Sequence, residues 1–455
     1  MLDHAAPMAR TLKQRVLRAG GWNFAGHGLN QAIRLGSNLL MTRLLVPEMF
    51  GVMAIATMVT IILSLLSDIG LRQNIVQSRR GDDPAFLDTA WIVQIIRGCV
   101  LWVVALGLSI GLYLANAHGL LPVKSVYAVP VLPFVIAVSS FSAVIAGFQS
   151  TRWATAFRRF EQLRIMQIEV IAQLAGLAVM IVIAAASRSI WALVTGWLIV
   201  TLTITVLSHV WMSGHPNRFR WDPKALHELI HFGKWIFVSS VVGVLAANGD
   251  RLLLGGFVEA DVMGLYAIAI LIVGAISGGL SRFFTMVSLP ALSEIARNDP
   301  ARLRDVYYKL RVPGDLVLLF LAGLLFAAGQ LVIDLLYDPR YAGSGGMLQI
   351  LALSFFAVRY GVAHQIYLAV GKPRYLAAIN VVDFVSLYTL VPVLYYLGGT
   401  QAAIWGIALC GLASIPLVFY FNAGLRLNDF RRELAVLVAL PAGWLCGSGL
   451  NLIRP

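Results

Sequence analysis

Twelve apolar runs of the ~20 residues that cross a bilayer dominate this chain. They fall at about 20–42, 49–71, 86–115, 126–150, 163–186, 189–212, 232–256, 262–289, 312–336, 343–370, 375–397 and 401–423, with a further candidate at 434–450. Hydrocarbon offers no partner to a backbone N–H or C=O, so outside a closed barrel such runs fold as helices that satisfy these groups internally. With 59% hydrophobic and only 13% charged residues among 455, a soluble globular class is excluded.

The basic residues are distributed by loop. The N-terminus and the even-numbered connections hold 24 of the 35 Lys and Arg, whereas the odd connections and the C-terminal end hold 5. By the positive-inside rule the richer side, and with it the N-terminus, is cytoplasmic. The net charge of +13 is then a basic inner face against anionic lipid, and no nucleic-acid partner is needed.

A gapless internal repeat at a spacing of 213 residues fixes the domain plan. Gly20, Trp22, Phe24, Gly36, Leu39, Leu40, Gly51, Ala54, Ile55 and Ala56 fall on Gly233, Trp235, Phe237, Gly249, Leu252, Leu253, Gly264, Ala267, Ile268 and Ala269. Aligned Gly and Trp are harder to obtain by composition than aligned Leu. Each half has an even number of runs, so the repeats are parallel, an arrangement used by secondary transporters. The expectation is an all-α polytopic membrane protein with twelve transmembrane helices, thirteen if 434–450 crosses, in two parallel-related six-helix lobes around a central cavity. The boundaries are a basic N-terminus at 1–19, an N-lobe at 20–212, a linker at 213–231, a C-lobe at 232–423 and a C-terminal segment at 424–455. The polar first 19 residues have no small-residue cleavage site after them, so no cleaved signal peptide is expected. Cys99, Cys410 and Cys446 have no metal-ligand or disulfide spacing.

Six cations lie inside these runs: Arg34, Arg97, Lys234, Arg251, Arg282 and Arg359. An Arg at a helix centre costs ~2.5–3.5 kcal/mol on insertion scales, so the deep ones face protein or water, while Lys234 is close enough to an end to snorkel. The first run is the most polar. At 100° per residue Asn23, His27, Asn30, Gln31, Arg34, Ser37 and Asn38 occupy about a third of its circumference. Such a stripe is either a polar seam against a neighbouring helix or the wall of an aqueous cavity, and the central Arg favours the cavity. In the second lobe the equivalent helix carries Asn248, Asp250 and Arg251.

Acids inside the runs are candidates for coupling protons or cations, or simply counter-ions to Arg. They are Asp68, Glu169, Asp250, Asp334 and Asp383, with Asp315 near an inner end. Asp68 and Arg282 stand at near-equivalent repeat positions and are a candidate ion pair. The stretch His227-Glu228-Leu229-Ile230-His231 fits a zinc motif. With no further ligand until Asp250, ~28 Å along a helix at 1.5 Å per residue, it reads as an amphipathic helix at the cytoplasmic face, and no metal is expected.

The stretch Thr42-Arg43-Leu44-Leu45-Val46-Pro47-Glu48-Met49-Phe50-Gly51, followed by Asp68-Ile69-Gly70-Leu71, resembles the start of polysaccharide-transporter (Wzx-type) oligosaccharide-lipid flippases. So does Gly249-Asp250-Arg251-Leu252-Leu253-Leu254-Gly255 with Gly264-Leu265-Tyr266. These flippases belong to the multidrug/oligosaccharidyl-lipid/polysaccharide flippase superfamily. The resemblance implies movement of an undecaprenyl-pyrophosphate-linked sugar repeat unit across a bacterial inner membrane for exopolysaccharide, capsule or O-antigen synthesis, alongside polysaccharide polymerase machinery. It implies no enzyme activity and no cofactor beyond an H⁺ or Na⁺ gradient or the membrane potential. A polyanionic headgroup needs fixed cations at membrane depth, and the planar Arg fork suits phosphate. The residues expected to clamp it are Arg34, Arg97, Arg251, Arg282 and Arg359. The stripe residues Asn23, His27, Asn30, Gln31 and Asn38 would face the sugars, and Asp68, Asp250, Asp383 and Glu169 would serve coupling or as counter-ions. Two alternatives remain. A multidrug or organic-cation antiporter of the same superfamily should be dominated by buried acids and aromatics, and a membrane enzyme of polysaccharide assembly should present acids or a sizeable loop outside.

Overall fold

The computed structural model describes residues 5–66, 70–78, 80–159 and 161–452, and their side chains except at 5–20, 22–25, 66, 230–242, 244, 283 and 285–287. Asp68 lies outside the described residues, and the side chains of Asn23, His231 and Lys234 lie outside the described set. Among the described residues there are helices and turns and no strand.

The helices follow the apolar runs closely. The first half holds α1 (Ala5–Leu44), α2 (Pro47–Leu66), α3 (Leu71–Gln77), α4 (Pro84–Ala117), α5 (Leu132–Ser139), α6 (Ser142–Gly147), α7 (Arg152–Arg158), α8 (Gln162–Ser187) and α9 (Trp191–Val210). Then come α10 (Pro223–Phe257), α11 (Ala260–Asn298), α12 (Leu303–Leu336), α13 (Ser344–Leu351), α14 (Phe355–Val358), α15 (Gly361–Ala369), α16 (Pro373–Leu409), α17 (Ile415–Gly424), α18 (Phe430–Val436) and α19 (Ala439–Leu452). Local chemistry sets several starts. Asp83 caps α4, accepting from the Ala85 N–H, with Pro84 at the first helical position, where its missing N–H is harmless. Asp429 caps α18 by accepting from the Arg432 N–H.

Nine described stretches are long and apolar enough to cross a membrane, or ten if the pair Leu132–Gly147 and Arg152–Arg158, bent by 65°, counts as one. This is a multi-pass membrane protein. The tally differs from the twelve or thirteen expected for identifiable reasons. Helices α1 and α10 hold residues outside the described side chains and are not among the nine. The stretch Pro373–Gly424 is 52 residues long, enough for two crossings, and is interrupted at Gly398 and Gly399 (φ 70°, ψ −158°). That last conformation is open essentially to glycine alone. The run at 126–150 is broken between α5, α6 and α7, and the C-terminal stretch Phe430–Leu452 joins the apolar set.

The chain divides into two compact units. The first comprises Met1–Leu45, Ile55–Val123 and Tyr127–Val244, and the second Val46–Ala54, Lys124–Val126 and Leu245–Pro455. Helix α10 has no break at the 231/232 boundary expected from the sequence. In the first unit α8 packs between α1 and α9, and α4 packs on α5 and α6. Ala225 and Leu229, at the start of α10, are buried with Leu71, Phe86 and Leu87.

In the second unit α12 packs on α13 and α19, and α11 on α13 and α15. Two backbone approaches define this unit. A Cβ at Gly323 would fall on the Leu440 carbonyl, and one at Gly443 on the Phe320 carbonyl, so α12 and α19 meet through small residues as close-packed membrane helices do. The N-terminal turn of α2 also belongs here. A Cβ at Gly51 would fall on the Ala260 carbonyl, and one at Gly264 on the Pro47 carbonyl.

Candidate functional site

In the first unit the polar stripe of α1 divides its work. Gly26 is buried against Met166 of α8, whose Cγ lies 2.6 Å from where a Cβ would stand. One turn on, Asn30 Nδ2 donates to Glu169 Oε2 at 2.7 Å. Two residues expected to serve separate roles are therefore one contact, and this edge of the stripe is a seam with α8. Around the helix from it, His27, Gln31 and Asn38 are half-buried and Arg34 is exposed. Arg97 of α4 donates from Nη2 to the Ser64 carbonyl at 2.5 Å, so its guanidinium fixes α4 to α2 within the unit.

Below these helices a polar belt holds the segment before α10. Asp88 is buried and accepts from the Arg218 N–H at 2.9 Å, with His215 Nε2 also 2.9 Å away. Arg80 Nη2 donates to Asp83 at 2.7 Å and to Asp222 at 2.8 Å. Hydrogen bonds from this guanidinium hold both carboxyls below the usual carboxylate range. Glu228 accepts from Ser78 Oγ at 2.8 Å and lies 3.9 Å from Arg80. The middle of the zinc-like motif is thus engaged in this belt. Among the described residues no three His, Cys, Asp or Glu side chains converge as metal ligands would.

In the second unit Asp250 of α10 accepts a short hydrogen bond from Tyr266 of α11. Beside it, a Cβ at Gly249 would stand 2.7 Å from the Tyr388 ring, so the missing side chain makes room for that ring. Asp383 of α16 is half-buried, and its Oδ1 has no hydrogen-bond partner among the described residues. Arg251 is half-buried and Arg282 exposed.

Arg359 is placed elsewhere, in a buried cluster that pattern reading did not anticipate. Arg311 of α12, 0% exposed, forks Glu433 of α18 through Nη1 at 2.5 Å and Nη2 at 2.9 Å. Its Nε stands 2.9 Å from Asp315 one turn on. Arg359 lies 3.6 Å from Asp315 and 3.4 Å from Glu433, and donates to the Tyr360 hydroxyl at 2.6 Å. The Tyr360 ring centroid is 4.2 Å from the Arg311 guanidinium carbon, and Tyr308 donates to Glu433 at 3.1 Å. Two cations and two anions cancel, as burial in a low-dielectric core demands. Arg359, expected to clamp an anion, already shares its charge with two carboxylates, so the arrangement ties α12, α14 and α18 together rather than presenting a cation. The available signal was the i,i+4 spacing of Arg311 and Asp315. Glu433 stands apart in sequence, and nothing in a single chain links it to them.

This helical plan has close counterparts. A Klebsiella pneumoniae protein described as an uncharacterized membrane protein in the cps region is 23% identical over 418 residues, covering 90% of this chain and 83% of its own. The lipopolysaccharide biosynthesis protein WzxC of Escherichia coli (strain K12) is 24% identical over 356 residues, 75% of this chain and 67% of its own. Among solved structures, the lipid II flippase MurJ in an inward closed conformation matches with a TM-score of 0.70 at 12% identity, over 93% of this chain and 91% of that one. An inward-facing multidrug resistance MATE family transporter of the MOP superfamily matches with a TM-score of 0.65 at 14% identity, over 87% and 94%. At these identities the structural likenesses establish the fold alone. The sequence match to the family described as polysaccharide biosynthesis protein spans residues 40–346, most of the chain, and the protein therefore belongs to that family.

Proposed function

We propose that this protein is a flippase that moves undecaprenyl-pyrophosphate-linked oligosaccharide repeat units across the bacterial inner membrane by alternating access, with its N-terminus in the cytoplasm. The reading rests on a set of guanidinium groups within the apolar sequence runs of a member of a polysaccharide biosynthesis family. A pyrophosphate carries about two negative charges, and Arg grips phosphate oxygens through paired N–H donors. Arg34 and Arg97 supply such donors in the first unit, and Arg251 and Arg282 in the second. Arg359 enters only through its buried cluster. The sugars meet the amides and imidazole of Asn23, His27, Gln31 and Asn38, while Asn30 works through Glu169. Release is coupled to H⁺ or Na⁺ taken up near Asp250 and Asp383, with Asp68 a further carboxylate for the same role. No bond is made or broken in this cycle, so its chemistry is binding and exchange of ion partners.

The test is deletion of the gene followed by analysis of lipid-linked intermediates. A complete, unpolymerised sugar-lipid accumulating on the cytosolic leaflet supports transport, whereas an incomplete one assigns the protein to synthesis and defeats the proposal.

A further inference from the structure

Beside the buried cluster, and sharing only Tyr308 with it, the second unit holds an open groove of about 650 Å³ where α12 meets α18. Its walls are Val312, Pro313, Ala435 and Val436, and its polar rim is Asp305, Lys309, Arg432 and the Tyr308 ring. The groove sits at a change of surface. On the rim side the exposed residues are charged, and just beyond the apolar walls Leu316, Val317, Leu434 and Val438 are all exposed hydrophobics. That is the pattern of a headgroup layer passing into acyl chain.

The rim charges can be counted. Arg432 is shared between Asp305 at 3.1 Å and Asp429 at 3.3 Å, and its guanidinium carbon stands 5.4 Å from the Tyr308 ring centroid. Lys309 is exposed. Asp429 is also paired with Arg304 at 2.8 Å, so Arg304, Lys309 and Arg432 set against Asp305 and Asp429 leave the groove a net charge of +1. We propose that it binds one anionic phospholipid, the phosphodiester between Lys309 and Arg432 and an acyl chain along the apolar walls. A phosphodiester carries a single negative charge and neutralises the rim. A pyrophosphate would bring at least one charge more, against the Asp305 carboxylate, so this groove does not suit the cargo headgroup. Basic pockets between membrane helices on the positively charged face hold anionic headgroups through this balance.

The occupant has a structural consequence. It bridges α12 to α18, the two helices joined by Arg311–Glu433 and Tyr308–Glu433, and so reinforces the buried cluster from outside. Anionic lipid would thereby tune the stability of the second unit without entering the transport path.

The experiment uses the full-length protein in mild detergent, titrated with phosphatidylglycerol or with phosphatidylcholine of the same acyl chains, and read by native mass spectrometry and thermal shift. The expected result is one phosphatidylglycerol retained in preference to phosphatidylcholine, with a rise in melting temperature that phosphatidylcholine does not give. Lys309→Gln, on an exposed side chain, should weaken that binding about five-fold, the equivalent of ~1 kcal/mol per charge, and leave the lipid-free melting temperature unchanged. Arg374→Gln, on the same charged face but away from the groove, should keep the preference. Equal binding of the two lipids, or a Lys309→Gln protein with its preference intact, overturns the proposal. So does undecaprenyl pyrophosphate displacing phosphatidylglycerol from the wild type but not from Lys309→Gln, which would assign the groove to the cargo.

Discussion

Gly51 and Gly264 are equivalent positions of the 213-residue repeat, and each is pressed against backbone of the other repeat. Gly51 meets the Ala260 carbonyl, Gly264 meets the Pro47 carbonyl, and Pro47 and Ala260 are themselves repeat equivalents. The duplication thus survives as a reciprocal contact inside the second unit, where one missing Cβ on each side permits the approach. Gly51→Ala and Gly264→Ala should each destabilise the protein by about 1–3 kcal/mol, as overpacking does. Gly278→Ala, where nothing lies within 4 Å, should be neutral or slightly stabilising through helix propensity. Thermal unfolding of the detergent-solubilised protein separates the two classes.

Removing one corner of the buried cluster should be far more damaging than removing a surface pair. Glu433→Gln leaves two guanidiniums with Asp315 as their remaining carboxylate in the cluster, and stranding a buried charge costs about 3–5 kcal/mol. The double change Arg311→Met with Glu433→Leu should recover much of that loss, because it removes charge in balance. A double variant no more stable than Glu433→Gln would show that packing, not charge balance, holds α18.

The Arg80 belt predicts an acid dependence. Asp83 and Asp222 have folded-state pKa values below their unfolded ones, so their contribution is full above the unfolded value, near pH 4, and is lost as pH falls through the folded value. The segment before α10 should therefore resist protease at neutral pH and open only in stronger acid. Arg80→Gln should raise cleavage at neutral pH and flatten the acid step, as limited proteolysis across a pH series would reveal.

Charge removal in the proposed anion site should affect transport rather than folding. Arg34→Gln and Arg251→Gln are expected to lower export of lipid-linked sugar about ten-fold or more each, since a hydrogen bond to a charged group is worth ~1.5–3 kcal/mol. Membrane levels of the protein should stay near normal. Export unchanged in both variants would remove these residues from the cargo path.

Much of this could be read from the chain because lipid makes the backbone rules strict. An apolar run must be a helix, and the runs at 86–115, 163–186 and 189–212 correspond to α4, α8 and α9 within a few residues. Breaks were less legible. The interruption at Gly398 and Gly399 agrees with the gap between two runs, but the 65° bend before α7 follows from tertiary contacts that no periodicity encodes. For the charged residues, sequence could establish that Arg359 needs shelter and could not say whose. Its partners sit on α12 and α18, and Asp315 and Arg311 look, from sequence alone, like ordinary residues near a membrane boundary. The stripe on α1 illustrates the same limit, since seven polar groups on one face reveal a special face but not that Asn30 would be claimed by Glu169.

The fork between Arg311 and Glu433 spans 122 residues, and that interval is also a length of time. At about 5–20 residues per second, Arg311 is made roughly 6–25 s before the carboxylate that receives it. Through that wait Asp315 is the carboxylate already at hand in the cluster for two guanidiniums. The C-terminal stretch of α18 and α19 is therefore the keystone of assembly, and a chain cut before residue 430 leaves the second unit with an open electrostatic wound for quality-control proteases to find.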